Sequence, residues 1–167
     1  ASIIATCRTS RCASSATSTA DETIKNGTLV GVTPPGSNNT TPDCDMYNNF
    51  TALATDVRAG RTYPFSLTIG DCEGASCYTK RAVIYADWNK DYDFAEAGEQ
   101  AWYSGATIIP NTPCPDITVT GSITVPVDAV LGATRIRVIV VESASAAPAA
   151  CGTYTWGATE DYTGIVL

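Results

Sequence analysis

Three stretches of this chain place apolar residues at every second position, and a period of two admits a half-buried strand and little else. Tyr63, Phe65, Leu67 and Ile69 alternate with Thr62, Pro64, Ser66 and Thr68, and Ile117, Val119, Gly121, Ile123 and Val125 alternate with small hydroxyl residues. Ile136, Val138 and Val140 stand on one face of residues 134–142, with Arg135 and Arg137 on the other. A fourth stretch, Ala82-Val-Ile-Tyr-Ala86, is a continuous apolar run that reads as a buried strand. Weaker strand patterns at 23–32, 46–57, 100–104 and 162–167 are separated by turn-rich connections such as the Pro/Gly/Asn segment 33–45. Strands spaced in this way predict an all-β fold, a β-sandwich of jelly-roll or immunoglobulin-like type built from antiparallel strands. Asn26-Gly27 reads as a hairpin turn or a bulge, and Pro64 marks its strand as an edge strand or a bulged one.

A chain of 167 residues suits one domain with a genuine core. The net charge of −7, with its few Lys and Arg scattered, argues against a nucleic-acid partner. No stretch approaches the roughly 20 consecutive apolar residues that a membrane span needs. No leader-like segment opens the sequence, so the numbering is expected to begin at or near a mature N-terminus. Seven Cys and no His match no zinc pattern and point to disulfides in an oxidising, extracellular compartment. The expected pairs are Cys72–Cys77 across a tight turn, Cys114–Cys151 around the last strands, and Cys12–Cys44. Cys7 is then the odd one, unpaired, bonded to another molecule, or exchanged into a pair with Cys12 or Cys44.

The apolar run 82–86 breaks into Asp87-Trp-Asn-Lys-Asp-Tyr-Asp-Phe-Ala-Glu-Ala-Gly-Glu99. Oxygen-bearing side chains recur there at Asp87, Asn89, Asp91 and Asp93, with Glu96 and Glu99 beyond them. So many carboxylates with a single Lys repel one another unless a cation neutralises them. Calcium, which takes six to eight oxygen ligands, is the expected occupant. The bland competitor is a solvated turn in which Asp and Asn cap their own backbone.

Several segments together resemble the GEVED domain family of secreted and surface bacterial proteins. They are the Cys12 region with Ile24 to Val32, the strand Phe65–Ile69, and the acidic loop 87–99. Ile123-Thr-Val-Pro126, Gly132-Ala-Thr-Arg-Ile-Arg-Val138, Cys151-Gly152 and Glu160-Asp161-Tyr162 follow in order. The resemblance implies a β-sandwich module over 12–167, often appended to larger surface proteins, without catalytic activity of its own. The chain departs from the family where Gly157 is followed by Ala158 and Thr159, so the signature's first Glu is absent. It departs again at Tyr92, where the family's loop carries a Gly able to turn through positive φ.

With no His, and no Ser or Cys in a nucleophile setting, the chain is expected not to be an enzyme. Arg135, Arg137, Glu160 and Asp161 read as opposite charges paired across neighbouring strands to fix register. Trp88 and Trp102 read as core or strand residues, whereas Trp156, flanked by Gly157, is a candidate platform for a polysaccharide. Asn26, Asn38, Asn39 and Asn49 each stand in an Asn-x-Thr glycosylation pattern. Residues 1–11 carry a short apolar strand (Ser2, Ile3, Ile4, Ala5) next to Cys7, with no partner strand near it in sequence. These residues are expected to leave their own domain and complete a sheet in the next copy, giving a head-to-tail homopolymer. The alternative is a carbohydrate-binding or adhesive module of a larger secreted protein.

Overall fold

The computed structural model describes residues 10–18, 20, 22–33, 36–40, 44–72, 78–105 and 116–167. Among them the strands, in chain order, are β1 (Ser14–Ser18), β2 (Glu22–Leu29), β3 (Ser37–Asn39), β4 (Asn48–Val57) and β5 (Thr62–Asp71). They continue with β6 (Lys80–Ala86), β7 (Gln100–Tyr103), β8 (Ile117–Thr124), β9 (Gly132–Glu142) and β10 (Gly152–Val166). One sheet runs β1-β10-β9-β6-β7, with β4 also on β10, and the other runs β3-β2-β5-β8. The two sheets close on a core of Ile24, Leu67, Ile69 and Ile123 from one and Ile84, Val138, Val140 and Tyr162 from the other. The chain is thus an all-β sandwich.

The period-two strands behave as their patterns require. Tyr63, Phe65, Leu67 and Ile69 of β5 are buried, and so are Ile136, Val138 and Val140 of β9. Gly121 fits this scheme although it has no side chain. A Cβ there would lie 2.8 Å from Phe65 Cζ and 2.8 Å from Trp102 Nε1, so its absence makes room for the edge-on Phe65–Trp102 pair. The apolar run of β6 is buried on both faces. Ala82, Ile84 and Ala86 enter the main core, while Val83 and Tyr85 meet Phe94, Ile139 and Ala150 in a second cluster on the outer side.

Several expectations need correction. Asn26-Gly27 makes no hairpin turn; β2 runs through it, and the alternative of a bulge holds, with a register shift between Ile24 and Asn26. Pro64 lies on β5, an inner strand. It is tolerated because β2 is ending there: the last ladder pair is Leu29↔Phe65, and the Pro64 carbonyl still accepts from Val30 N. The closing strand begins at Gly152, far upstream of Tyr162. Its first part pairs in parallel with β1, from Ser14↔Gly152 to Ser18↔Trp156, and its second part pairs in parallel with β4. These two parallel ladders join an otherwise antiparallel set.

The parallel β1–β10 ladder also redraws the disulfides. Cys151 directly precedes the ladder's first pair and Cys12 stands two residues before it; their Cα atoms are 5.5 Å apart, and they are bonded. Cys44 is bonded to Cys72, with Cα atoms 5.8 Å apart. The expected Cys12–Cys44, Cys72–Cys77 and Cys114–Cys151 pairs are therefore all overturned, because the parallel β1–β10 ladder, which no local pattern announces, brings Cys12 to Cys151. Cys7, Cys77 and Cys114 lie outside the described residues, as do Ser2, Ile3, Ile4 and Ala5 of the assembly segment.

Candidate cation site

The loop 87–99 leaves β6 and returns to β7, and its two ends are held at one point. Asp87 N donates to Arg135 O (3.1 Å), and Ala86 N donates to Glu99 O (2.8 Å). Trp88 is 2 % exposed and plugs the main core, while Phe94 packs on Tyr85 in the outer cluster. Between these two apolar anchors the polar residues are forced outward.

There the backbone turns on a chain of side-chain caps. Asn89 Oδ1 accepts from Asp91 N, Asp91 Oδ1 from Asp93 N, and Asp93 Oδ1 from Ala95 N, at 3.0, 3.1 and 2.9 Å. Asn89 Nδ2 also donates to Asp91 Oδ2 at 3.1 Å. Lys90 and Tyr92 take φ of +62° and +74°. The second value is the left-handed turn a Gly would make at no steric cost, so Tyr92 adopts that backbone despite its Cβ. Its ring is held by the Arg11 guanidinium, 5.0 Å from the centroid.

Tyr92→Gly and Tyr92→Ala both remove that ring, so the difference between them isolates the backbone. Gly is expected to be the more stable by roughly 1–2 kcal/mol in urea unfolding. Equal midpoints would mean that the loop carries no such strain.

The structure divides the six predicted ligands. Asp91, Asp93 and Glu96 bring one carboxylate oxygen each to within 4.8 Å of one another. Glu99 lies beside Glu96, 2 % exposed, with Oε2 lacking a hydrogen-bond partner among the described residues. Burial, and then the hydrogen bond and charge of Glu96, push the Glu99 carboxyl up to about 8. The main cause is that burial disfavours the charged form, and the neighbouring acid adds to it. Asn89 serves the turn. Asp87 does not join the cluster: it is fully buried and ion-paired with Arg11, its nearest cation. The donors that remain, Asp91, Asp93 and Glu96, are all hard carboxylate oxygens, the donor type calcium takes.

Beside this loop, Asp161 on β10 stands directly across from Arg137 on β9. Arg137 Nε and Nη2 donate to its two oxygens at 2.7 and 2.9 Å. Arg135 Nη1 and Tyr47 Oη donate to Asp161 Oδ2 at 2.6 and 2.9 Å. Arg137 Nη1 spans onward to Cys12 O (2.9 Å) and Ala150 O (2.8 Å), gripping the backbone on both sides of the Cys12–Cys151 disulfide. Its guanidinium also lies 5.2 Å from the Phe94 ring centroid, so the clamp supports the acidic loop. Burial alone would raise the Asp161 carboxyl, but the bonds and charge of Arg137, with Arg135 and Tyr47, hold it below its ordinary value of 3.8. Glu160 and Tyr162 are buried as well, with Tyr162 Oη donating to Glu160 Oε2 and accepting from Asn39 Nδ2.

With these positions in place, comparison with known families is decisive at one point: the GEVED domain profile matches residues 81–165, about half of the chain. The chain belongs to the GEVED domain family. The GEVED match runs from β6 into β10 and takes in both the acidic loop and the Arg137–Asp161 clamp, whereas β1 to β5 lie outside it. No curated protein matches the chain. Among solved structures it is similar to the CARDB domain of a Pyrococcus furiosus protein. A crystal structure of that domain in complex with di-metal ions shares 11% identity over 67% of this chain and 79% of that one, with a TM-score of 0.40. Its solution NMR structure shares 12% identity over 67% and 85%, with a TM-score of 0.41.

The remaining candidate positions separate by exposure. Trp156 is 42% exposed, while Trp88 is core and Trp102 packs on Phe65. Asn38 and Asn49 are exposed. Asn39 is buried with its amide nitrogen on Tyr162 Oη, so a glycan at that atom would break the contact; the expectation of an acceptor there is overturned. The Asn26 amide nitrogen is likewise engaged by Asn38 Oδ1 and Asn39 O.

Two groupings were missed by the sequence reading. Arg11 meets Asp87 from far along the chain, and Lys80, 1 % exposed, meets Glu22 and Asp71. A signal for the second was present: Lys80 opens an apolar strand, and Glu22 immediately precedes another.

Proposed function

We propose that this GEVED chain is a non-enzymatic structural module of an extracellular protein, with calcium bound in its 87–99 loop. In this reading, the segment ahead of Arg11 joins copies head to tail into a fibre, while Arg11 stays on Asp87 and Tyr92 of its own domain. One observation carries the structural role: the polar residues of the family signature are spent on holding the fold. Asp161 anchors Arg137 and through it the disulfide-bonded N-terminal strand; Glu160 and Tyr162 tie β10 to Asn39. Two disulfides fit an oxidising, extracellular setting.

The calcium reading is supported by the convergence of Asp91, Asp93 and Glu96, with buried Glu99 beside Glu96. Those four would hold the ion, and its role would be to neutralise their repulsion and fix the loop against Phe94 and Trp88.

The assembly reading rests on sequence: a short apolar segment beside Cys7, one of three Cys outside both disulfides, ahead of a domain whose β1 already begins at Ser14. Strand addition would supply backbone hydrogen bonds, and Cys7 would allow a covalent lock. Sedimentation and negative-stain imaging of the full chain beside a chain starting at Ser10, which keeps Arg11 on Asp87, tests it. Filaments from the first and monomers from the second are expected. If both are monomers, strand donation is wrong, and retention on a polysaccharide column through exposed Trp156 becomes the reading to pursue.

A further inference from the structure

Where the two sheets come together at one end of the sandwich, a lysine is enclosed by acids. Lys80 opens β6 in one sheet; Glu22 opens β2 and Asp71 closes β5 in the other, where they are ladder partners. The Lys80 Nζ lies 2.7 Å from Glu22 Oε1, 2.9 Å from Asp71 Oδ1 and 3.4 Å from Tyr78 O. Side-chain exposures are 1 % for Lys80, 0% for Glu22 and 7 % for Asp71. Glu142 faces the same place as the β9 ladder partner of Lys80. Two carboxyl groups therefore contact one ammonium away from water, and Glu22 Oε2 has no hydrogen-bond partner among the described residues.

From this geometry we infer that Lys80 and Asp71 condense into an isopeptide bond, with Glu22 as the proton carrier, giving the sandwich a covalent tie between its two sheets. The reaction needs nothing that the site lacks. A proton passes from the Lys80 ammonium to the Asp71 carboxylate by way of Glu22, leaving a neutral amine beside a neutral acid. The Nζ lone pair then attacks Asp71 Cγ. The tetrahedral intermediate loses a C–O bond, and the departing hydroxyl takes the second proton of Nζ, relayed by Glu22, to leave as water. In sum an ammonium and a carboxylate become an amide and one water, and Glu22 returns to its starting state.

Three features favour that course over a permanent ion pair. Enclosure makes an ion pair costly to keep away from water, so the pair gains less here than its short contacts suggest. The nucleophile and the carboxyl are held in contact by rigid elements, since Asp71 is fixed by its β2 partner and by the neighbouring Cys44–Cys72 disulfide; positioning of this kind supplies effective molarities of about 10^5–10^8 M. The carrier also titrates in the useful range. Burial pushes the Glu22 carboxyl up to about 7 against the opposing pull of Lys80. For Lys80 itself burial works downward, but its bonds to Glu22 and Asp71 outweigh it and raise the ammonium, so the ion pair is the state from which the reaction starts.

The inference is independent of calcium and of strand donation, and mass spectrometry of the full wild-type chain, denatured, reduced and alkylated, tests it directly. In the sequence, trypsin cuts after Arg61, Lys80 and Arg81. The expected product is a single peptide of residues 62–81, lighter by one water and uncut at Lys80. A succinimide at Asp71 would lose the same water but leave Lys80 cleavable, which would overturn the proposal, as would a peptide of full mass ending at Lys80. A product joining residues 12–25 to 62–81 would assign the bond to Glu22 and overturn the choice of Asp71. Glu22→Gln, checked by circular dichroism to keep the wild-type fold, is expected to accumulate the unlinked chain; linkage at the wild-type rate would remove Glu22 from the reaction.

Discussion

Asp161→Asn is expected to cost about 3–5 kcal/mol, the cost of removing one partner from a buried ion pair. The amide keeps the shape of the carboxylate but leaves the Arg137 guanidinium, 3% exposed, without its counter-charge. Arg137 would lose its fixed position and slacken its hold on Cys12 O and Ala150 O, so the N-terminal strand should loosen with it. Urea unfolding at neutral pH measures the loss, and a midpoint within error of wild type would refute the clamp. Adding Arg137→Met to Asp161→Asn should recover part of the loss, because a neutral pair avoids the stranded charge. The pH dependence has a definite sign. Since folding lowers the Asp161 pKa below 3.8, its contribution is complete above that value and disappears as pH falls through the lower native one. The variant should therefore lose less stability than wild type on acidification below pH 3.8.

The parts of this fold legible in the sequence are those governed by a local period. β5, β8 and β9 each have one face in the core, so alternation marks them and their register. The acidic loop is legible for a similar reason: the spacing of Asn89, Asp91 and Asp93 is what makes its consecutive side-chain caps. What stayed hidden is non-local. The 15-residue β10 has a first half exposed around Thr153 and Trp156, so no apolar face announces it, and its parallel partners β1 and β4 come from the far end of the chain. The disulfides follow that ladder and were lost with it. Asn26-Gly27 misled because turn propensity is a local signal, and here the sheet overrides it with a bulge. Asp87 illustrates the limit within the site. Its spacing places it among the ligands, but Arg11, brought in by the β1–β10 pairing, claims it instead.

Removing calcium is expected to lower the melting temperature, and restoring it to raise the transition again. For an ion that binds only the folded chain, a concentration of 100 times Kd adds about 2.7 kcal/mol, which for a domain of this size is a shift of roughly 5–10 °C. The effect should be that large because the loop already bears the cost of its own assembly. Asp91, Asp93 and Glu96 are held within 4.8 Å of one another, and Glu99 is kept out of water beside Glu96 with one oxygen unpartnered. An ion entering that cluster relieves repulsion that the fold otherwise sustains, and loses little entropy in ordering ligands that the caps have already ordered. Magnesium, which demands compact octahedral geometry and gives up its water reluctantly, should give a smaller shift at equal concentration. Asp93→Asn and Glu96→Gln should each blunt the calcium response while raising the melting temperature of the calcium-free chain, since each removes one of the repelling charges. That opposite movement separates a metal site from a merely acidic turn, in which the same substitutions would leave the calcium titration flat from the start.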